Sequence, residues 1–225
     1  MPPKRRPLSL GETRKKLAQY DDREKITEKA RAMAKELVHG KNLPDVYDDF
    51  GRTLPYYARI HSILLRYAGK LKGKKLIHLG GSTGLYAKFL QDQGIKAVSF
   101  DIGQHASSIA RRVGNKLVVR GYAMSWPDKR RQEKHLPFKD NAFDCFVSDH
   151  FLLAGFTVNP ETLLPEIQRI LKPRGIGVIY RIDPDDGKFF AQLLQKHGFK
   201  VLAHRQLPEK YNLERNYYWM VVQKE

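Results

Sequence analysis

The 225-residue chain predicts an α/β fold: a Rossmann-like, seven-stranded, mostly parallel sheet with helices on both faces, its last strand antiparallel, beside an N-terminal helical cap. Three observations carry this. Lys74 to Asp101 (KKLIHLGGSTGLYAKFLQDQGIKAVSFD) reads as strand, glycine turn, helix, strand, acid. From Lys74 onward, apolar runs of strand length alternate with stretches of helical period, which calls for parallel crossovers. The last two apolar runs are separated by a short polar loop, Pro208 to Asn216, and no helical stretch, so those strands pair antiparallel.

In chain order, residues 1–15 are rich in Pro and base and read as a mobile arm. Residues 16–72 form the helical cap. Ile26, Ala30, Met33, Ala34, Leu37 and Val38 make one apolar stripe along 16–38, and Gly40 is a stop signal. A second helix, 54–69, sets Tyr57, Ile60, Leu64 and Tyr67 on one side, with Leu71 just beyond and His61 beside the stripe on the helix surface. Residues 73–225 make the main domain. Its strands fall near 75–79, 97–101, 117–121, 143–148, 176–182, 199–204 and 216–223. Its helices fall near 84–93, 105–113, 160–171 and 186–197. In the third of these helices Leu163, Ile167, Ile170 and Leu171 keep one face apolar, and Pro173 ends it.

Composition narrows the class. Hydrophobic residues are 41% of the chain, enough for a core, and no apolar run approaches the ~18–20 residues of a membrane span. The basic start (Lys4, Arg5, Arg6) lacks the apolar region of a secretion signal. The single cysteine, Cys145, excludes an internal disulfide and lies in an apolar run, which points to buried packing and a reducing, cytoplasmic setting. The net charge of +17 is unevenly spread: residues 52–75 carry seven Lys/Arg and no acid, whereas 136–195 carry six bases and eight acids. Such segregation suits a polyanionic partner, RNA first and an anionic membrane surface second. Lys129, Arg130, Arg131 and Lys134, beside Trp126, form one candidate nucleic-acid contact, and the N-terminal arm another.

The glycines of HLGGSTG allow close backbone approach to a ligand at the carboxyl edge of the sheet. Asp101, 21 residues after Gly80, is in reach of two ribose hydroxyls, so the stretch reads as a nucleoside-cofactor site.

Three further segments, HLPFKDNAFDCF (135–146), EIQRILKPRG (166–175) and the aromatic strand Tyr217-Tyr218-Trp219, join HLGGSTG and Asp101 in a pattern that resembles the class I S-adenosylmethionine-dependent methyltransferases. The subgroup of quinone-biosynthesis C-methyltransferases is the most similar, over about 70–182. The resemblance implies S-adenosylmethionine as cofactor. His78, Gly80, Gly81, Ser82 and Gly84 would then flank its methionine and ribose parts, and Asp101 would accept from the ribose hydroxyls. Ile102, Tyr122 and Ala123 would lie near the adenine, and Ser148 at the end of the fourth strand, where the methyl group emerges. Asp149 and His150 are the acid–base pair best placed for catalysis.

The chain departs from the family pattern twice. His78 stands where the family carries an acid that attracts the cofactor's ammonium. Ser82 replaces a glycine, which a negative φ would accommodate, and its hydroxyl could bond the cofactor carboxylate. The acceptor implied is a small molecule or RNA. The competing readings are a non-catalytic RNA- or ribonucleoprotein-binding protein on the same fold, and a nicotinamide-dependent short-chain dehydrogenase, whose Tyr-x-x-x-Lys pair is absent.

Overall fold

The computed structural model describes residues 54–225 except 83, 102–106, 109, 112–113, 122–134, 150, 153–158 and 208–216. Seven strands form one sheet: β1 Lys75–Leu79, β2 Lys96–Asp101, β3 Val118–Arg120, β4 Phe143–Asp149, β5 Leu171–Ile182, β6 Phe199–Gln206 and β7 Tyr218–Lys224. Their order is β3-β2-β1-β4-β5-β7-β6. β3, β2, β1, β4 and β5 pair in parallel, and β7 inserts between β5 and β6, antiparallel to both. The expected fold class is therefore the observed one. The carboxyl ends of β1, β2 and β4 share one edge, where the chain order reverses between β1 and β4, the place in such sheets where ligands bind.

Alternation along the strands divides the core in two. Ile77 and Leu79 of β1 with Phe146 of β4 face α3 (Pro160–Ile170) and α4 (Gly187–Lys196), burying Leu163, Leu164, Ile167, Phe190 and Leu194. Leu76, Cys145, Val147 and Tyr180 face the other way, toward α1 (Leu54–Ala68) and α2 (Leu85–Asp92). At roughly 25 cal/mol per Å2 of apolar surface, filling both faces is what holds the sheet between its helices. α1, the described part of the N-terminal segment, buries Tyr57, Ile60, Ile63 and Leu64 in this second core and so forms one of its layers.

Local details follow the sequence. Asn159 caps α3 by accepting from the Glu161 amide at 3.0 Å, with Pro160 in the first turn, where no N–H is missed. The helix stops at Ile170 because Leu171 is already extended (φ −79°, ψ 142°), two residues ahead of Pro173. β5 thus begins earlier than the periodicity indicates: Leu171 pairs with Phe143, and the ladder resumes at Cys145–Ile176 after a register shift over Lys172–Gly175. Gly177 is opposite Phe146, and a Cβ there would overlap the phenyl ring.

Glu166 and Arg169 on α3 bind the 135–146 segment to this framework. Glu166 accepts from the Leu136 amide at 2.7 Å and from both Nε and Nη2 of Arg169, at 2.9 and 2.7 Å. Arg169 donates in turn to the carbonyls of Phe138 and Leu136 and to Asp140. Burial opposes the charge on Glu166, yet the bonds from Arg169, His135 and the Leu136 amide hold its carboxyl down at about 2. Two of the three segments that carry the family resemblance beyond the glycine loop, 135–146 and 166–175, are therefore one hydrogen-bonded unit.

Candidate cofactor and active site

β1 ends at Leu79 opposite Phe100, so the first loop glycine and Asp101 leave the sheet side by side. Gly80 and Gly84 adopt φ of 68° and 69°, left-handed values that glycine takes without strain. The loop is closed by Gly81 N–H donating to Phe100 C=O at 3.0 Å and Gly84 N–H donating to Gly81 C=O at 2.7 Å. It leads directly into α2, whose first turn has no side-chain cap.

The glycines are required by the protein's own packing. A Cβ at Gly80 would lie 2.6 Å from Cβ of Phe151, just beyond β4. One at Gly81 would overlap Oγ of Ser99, and one at Gly84 would overlap Nδ2 of Asn115. The reading that side chains here would collide with a ligand is thus incomplete: β2, the post-β4 segment and the residues before β3 fill that space first. Ser82, which stands in place of a glycine of the family pattern, has φ 46° and not the negative value that would accommodate it. Left-handed backbone costs a residue with a Cβ roughly 1–2 kcal/mol. In that conformation the Ser82 amide donates to Oδ2 of Asp101 at 2.7 Å, a charge-assisted bond that sets the carboxylate at the end of β2.

Asn115 supports the loop from behind. It is buried, and its Nδ2 donates to the Gly84 carbonyl at 3.2 Å. Its Oδ1 accepts from Gln91 Nε2 at 2.6 Å and from the Leu117 amide at 3.1 Å. Gln91, on α2, also donates to the Ala97 carbonyl at 2.7 Å and accepts from the Lys116 amide at 2.9 Å. The pair therefore ties the loop, α2, β2 and the approach to β3 together. Sequence reading missed both residues, because an Asn in a turn and a Gln in a helix carry no motif; only the fold brings them together.

His78 lies beneath the loop, fully buried, with its ring edge-on to Tyr57 and Tyr86 at 6.0 and 5.6 Å between centroids. Tyr57 stacks on Tyr86 at 5.3 Å, so this cap tyrosine packs within the core. Tyr86 also meets His61, whose Nδ1 is 3.3 Å from the phenol oxygen. His61 is buried, not on the helix surface as its place beside the stripe indicates, because α2 and Phe89 cover that side of α1. Burial pushes its imidazole down to about 4. Cys145 is buried as expected, and burial pushes its thiol up to about 11.

Ser148 and Asp149 end β4, both buried, with Asp149 opposite Tyr180 of β5. Ile102, Tyr122, Ala123 and His150 lie outside the described residues, as do Trp126, Lys129, Arg130, Arg131, Lys134 and the N-terminal arm. The residues described suit S-adenosylmethionine in two respects. A carboxylate oriented by the loop stands where ribose hydroxyls would donate. The buried hydroxyls of Ser82 and Ser148 have no hydrogen-bond partner among the described residues, and a polar ligand would satisfy them.

Comparison with known proteins agrees. The family model described as "Methyltransferase domain" matches residues 77–179. A ubiquinone/menaquinone biosynthesis C-methyltransferase from Haemophilus ducreyi is 31% identical over 150 residues, 64% of this chain and 56% of that protein. An uncharacterized protein from Methanocaldococcus jannaschii is 32% identical over 130 residues, 57% of this chain and 55% of the other. The chain thus spans little more than half the length of these relatives. A SAM-dependent methyltransferase from Methanosarcina mazei shares the fold at TM-score 0.58 and 16% identity, over 72% of this chain and 96% of that one. The [4+2]-cyclase SpnF shares it equally, at TM-score 0.58 and 20% identity, over 74% and 80%. The glycine loop, the strand order and the matched residues converge: over 77–179 the chain is similar to the class I, S-adenosylmethionine-dependent methyltransferases.

Proposed function

We propose that this domain binds S-adenosylmethionine at the carboxyl edge of β1, β2 and β4 and transfers its methyl group to a small-molecule acceptor. The observation that carries the reading is the 2.7 Å bond from the Ser82 amide to Asp101, which presents an oriented carboxylate next to a glycine turn. Bound there, the cofactor supplies a sulfonium-activated methyl group, so proximity and alignment do most of the remaining work. Asp101 accepts from the ribose hydroxyls, each bond contributing about 1–2 kcal/mol net. Ser82 offers its hydroxyl to the cofactor carboxylate, and Ile102, Tyr122 and Ala123 line the adenine side. Gly80, Gly81 and Gly84 keep the backbone low enough for the ligand to approach. Ser148 borders the methyl group, and Asp149 with His150 handles a proton of the acceptor. His78 is enclosed by Tyr57 and Tyr86, so the site holds the nucleoside more firmly than the amino-acid end.

Two observations favour a small acceptor. The H. ducreyi relative is a quinone-biosynthesis enzyme. Among the described residues, Asp101, Asp149, Asp183, Asp185 and Asp186 at the carboxyl edge are nearly balanced by Arg120, Arg181, Lys188 and Arg205, so this edge offers a polyanion no net attraction. Calorimetry with S-adenosylmethionine tests the cofactor reading: binding that weakens at least tenfold in Asp101→Ala, about 1.4 kcal/mol, is expected. Absence of binding, or indifference to that substitution, removes it. Labelled methyl transfer into a small-metabolite extract, compared with total RNA, then tests the acceptor; label confined to RNA overturns the small-molecule reading.

A further inference from the structure

The fold gathers a second feature at the opposite edge of the sheet. Lys75 and Lys96 are the first residues of β1 and β2 and are direct register partners on adjacent strands. Lys116 precedes β3 by two residues, and Lys70 and Lys72 lie in the turn that enters β1. All five are exposed and enter no ion pair among the described residues. Adjacent strands are about 4.8 Å apart, so Lys75, Lys96 and Lys116 rise as a row across three neighbouring strand starts.

The acids of this edge are already committed. Asp92 is paired with Lys88, Asp140 with Arg169, and Asp144 with Lys172 at 2.7 Å. Asp144 also accepts from the Lys75 amide at 2.8 Å. Burial opposes its charge, yet Lys172, the Lys75 amide and Lys74 together outweigh it and keep its carboxyl below the usual range. The five lysines therefore project uncompensated charge. Chain order hides this, because the lysines come from three separate connections spread over residues 70–116.

We infer that the amino-terminal edge of β1, β2 and β3 is a docking surface for the phosphate backbone of RNA, remote from the cofactor loop. Lysine acts as a point charge toward phosphate and carries no base code, so the contact is sequence-independent. The edge is made of turns and strand starts and offers no helix or ribbon to enter the major groove of DNA, whereas structured RNA is bound through shape and phosphates. At this edge the described residues offer no exposed apolar wedge for a lipid surface apart from Leu117, which is 44% exposed; the other exposed large hydrophobic, Phe189, is in the first turn of α4 near the carboxyl edge. The surface tethers the domain to RNA while its catalytic edge stays open to a small acceptor. This inference stands whether or not the acceptor reading does.

The test compares the full chain with a variant carrying K70Q, K72Q, K75Q, K96Q and K116Q. Binding to a duplex RNA of about 20 base pairs is followed as salt rises; each lost phosphate contact should flatten the log–log slope by roughly 0.7–0.9. The expected result is at least tenfold weaker binding and a slope flatter by about 2–4, with thermal melting and S-adenosylmethionine affinity unchanged. Unchanged affinity and slope overturn the inference. So does a slope that flattens only when Lys129, Arg130 and Arg131 are neutralised instead. Equal binding of a DNA duplex of the same length overturns the assignment to RNA, and binding of phosphatidylserine vesicles without RNA binding assigns the edge to membranes.

Discussion

The amide of Ser82 and Oδ2 of Asp101 are joined by a 2.7 Å hydrogen bond that links the loop after β1 to the last residue of β2. The bond exists because Ser82 holds φ 46°, a conformation that turns its N–H toward β2. Backbone strain thus fixes the direction of this carboxylate.

Ser82→Gly removes the strain and keeps the N–H. The domain should gain about 0.5–1 kcal/mol of stability with Asp101 still oriented, measured by denaturant unfolding. Cofactor affinity should fall only by the share of the lost hydroxyl, several-fold at most, far less than in Asp101→Ala. Equal losses in both variants would show that the hydroxyl, and not the carboxylate, dominates.

Asn115→Ala removes the acceptor of one Gln91 Nε2–H and of the Leu117 N–H, both part-buried, and the buried donor to the Gly84 carbonyl, while Gln91 keeps its bond to Ala97. Unfolding measurements should show a loss of about 2–3 kcal/mol, since each unsatisfied buried group costs ~1–3 kcal/mol. Cofactor binding should weaken as well, although Asn115 touches no ligand. A double-mutant cycle with Gln91→Ala should give a coupling above about 0.5 kcal/mol; additivity would refute the clamp.

His61 gives the domain a mild-acid sensitivity. Its folded value of about 4 lies below the ordinary 6.5, so the unfolded chain takes up a proton that the native state refuses. Stability should therefore fall as pH drops from 6.5 through 4, by about 3 kcal/mol for this group. His61→Phe should flatten that window, at the cost of one hydrogen bond to Tyr86. A profile unchanged in the variant would place the sensitivity elsewhere.

Glu166 acts at lower pH. Its carboxyl is held at about 2 against an ordinary 4.5, so its contribution is full above pH 4.5 and disappears as pH falls toward 2. Glu166→Gln should lose stability at neutral pH, by up to about 3 kcal/mol, and show a shallower acid limb. Thermal melts across that range would show it. Parallel acid limbs in both proteins would contradict the role given to this carboxylate.

Periodicity and glycine placement made the architecture legible. Strand runs, helix stripes and the polar connection to β7 are local signals, and every strand appears near its expected place. Helix ends were less legible: the extended Leu171 carries β5 through LKPRG, a register effect set by pairing with Phe143. Within the site, HLGGSTG and Asp101 were readable because a tight turn and a strand-end acid have characteristic residues. Asn115, Gln91, Phe151 and the burial of His61 were not, since those roles depend on elements that meet only after folding.

By itself the sequence determined the class of fold, the glycine turn and strand-end acid at the carboxyl edge of the sheet, and the similarity to the methyltransferases. These follow from hydrophobic period and backbone permissiveness, which are properties of neighbours in the chain. Tertiary structure alone decided that Ser82 bends to reach Asp101, that His78 is enclosed by aromatic rings, and that lysines from three connections line one edge. Each of these depends on distances between residues far apart in sequence, and strand register is what brings them together.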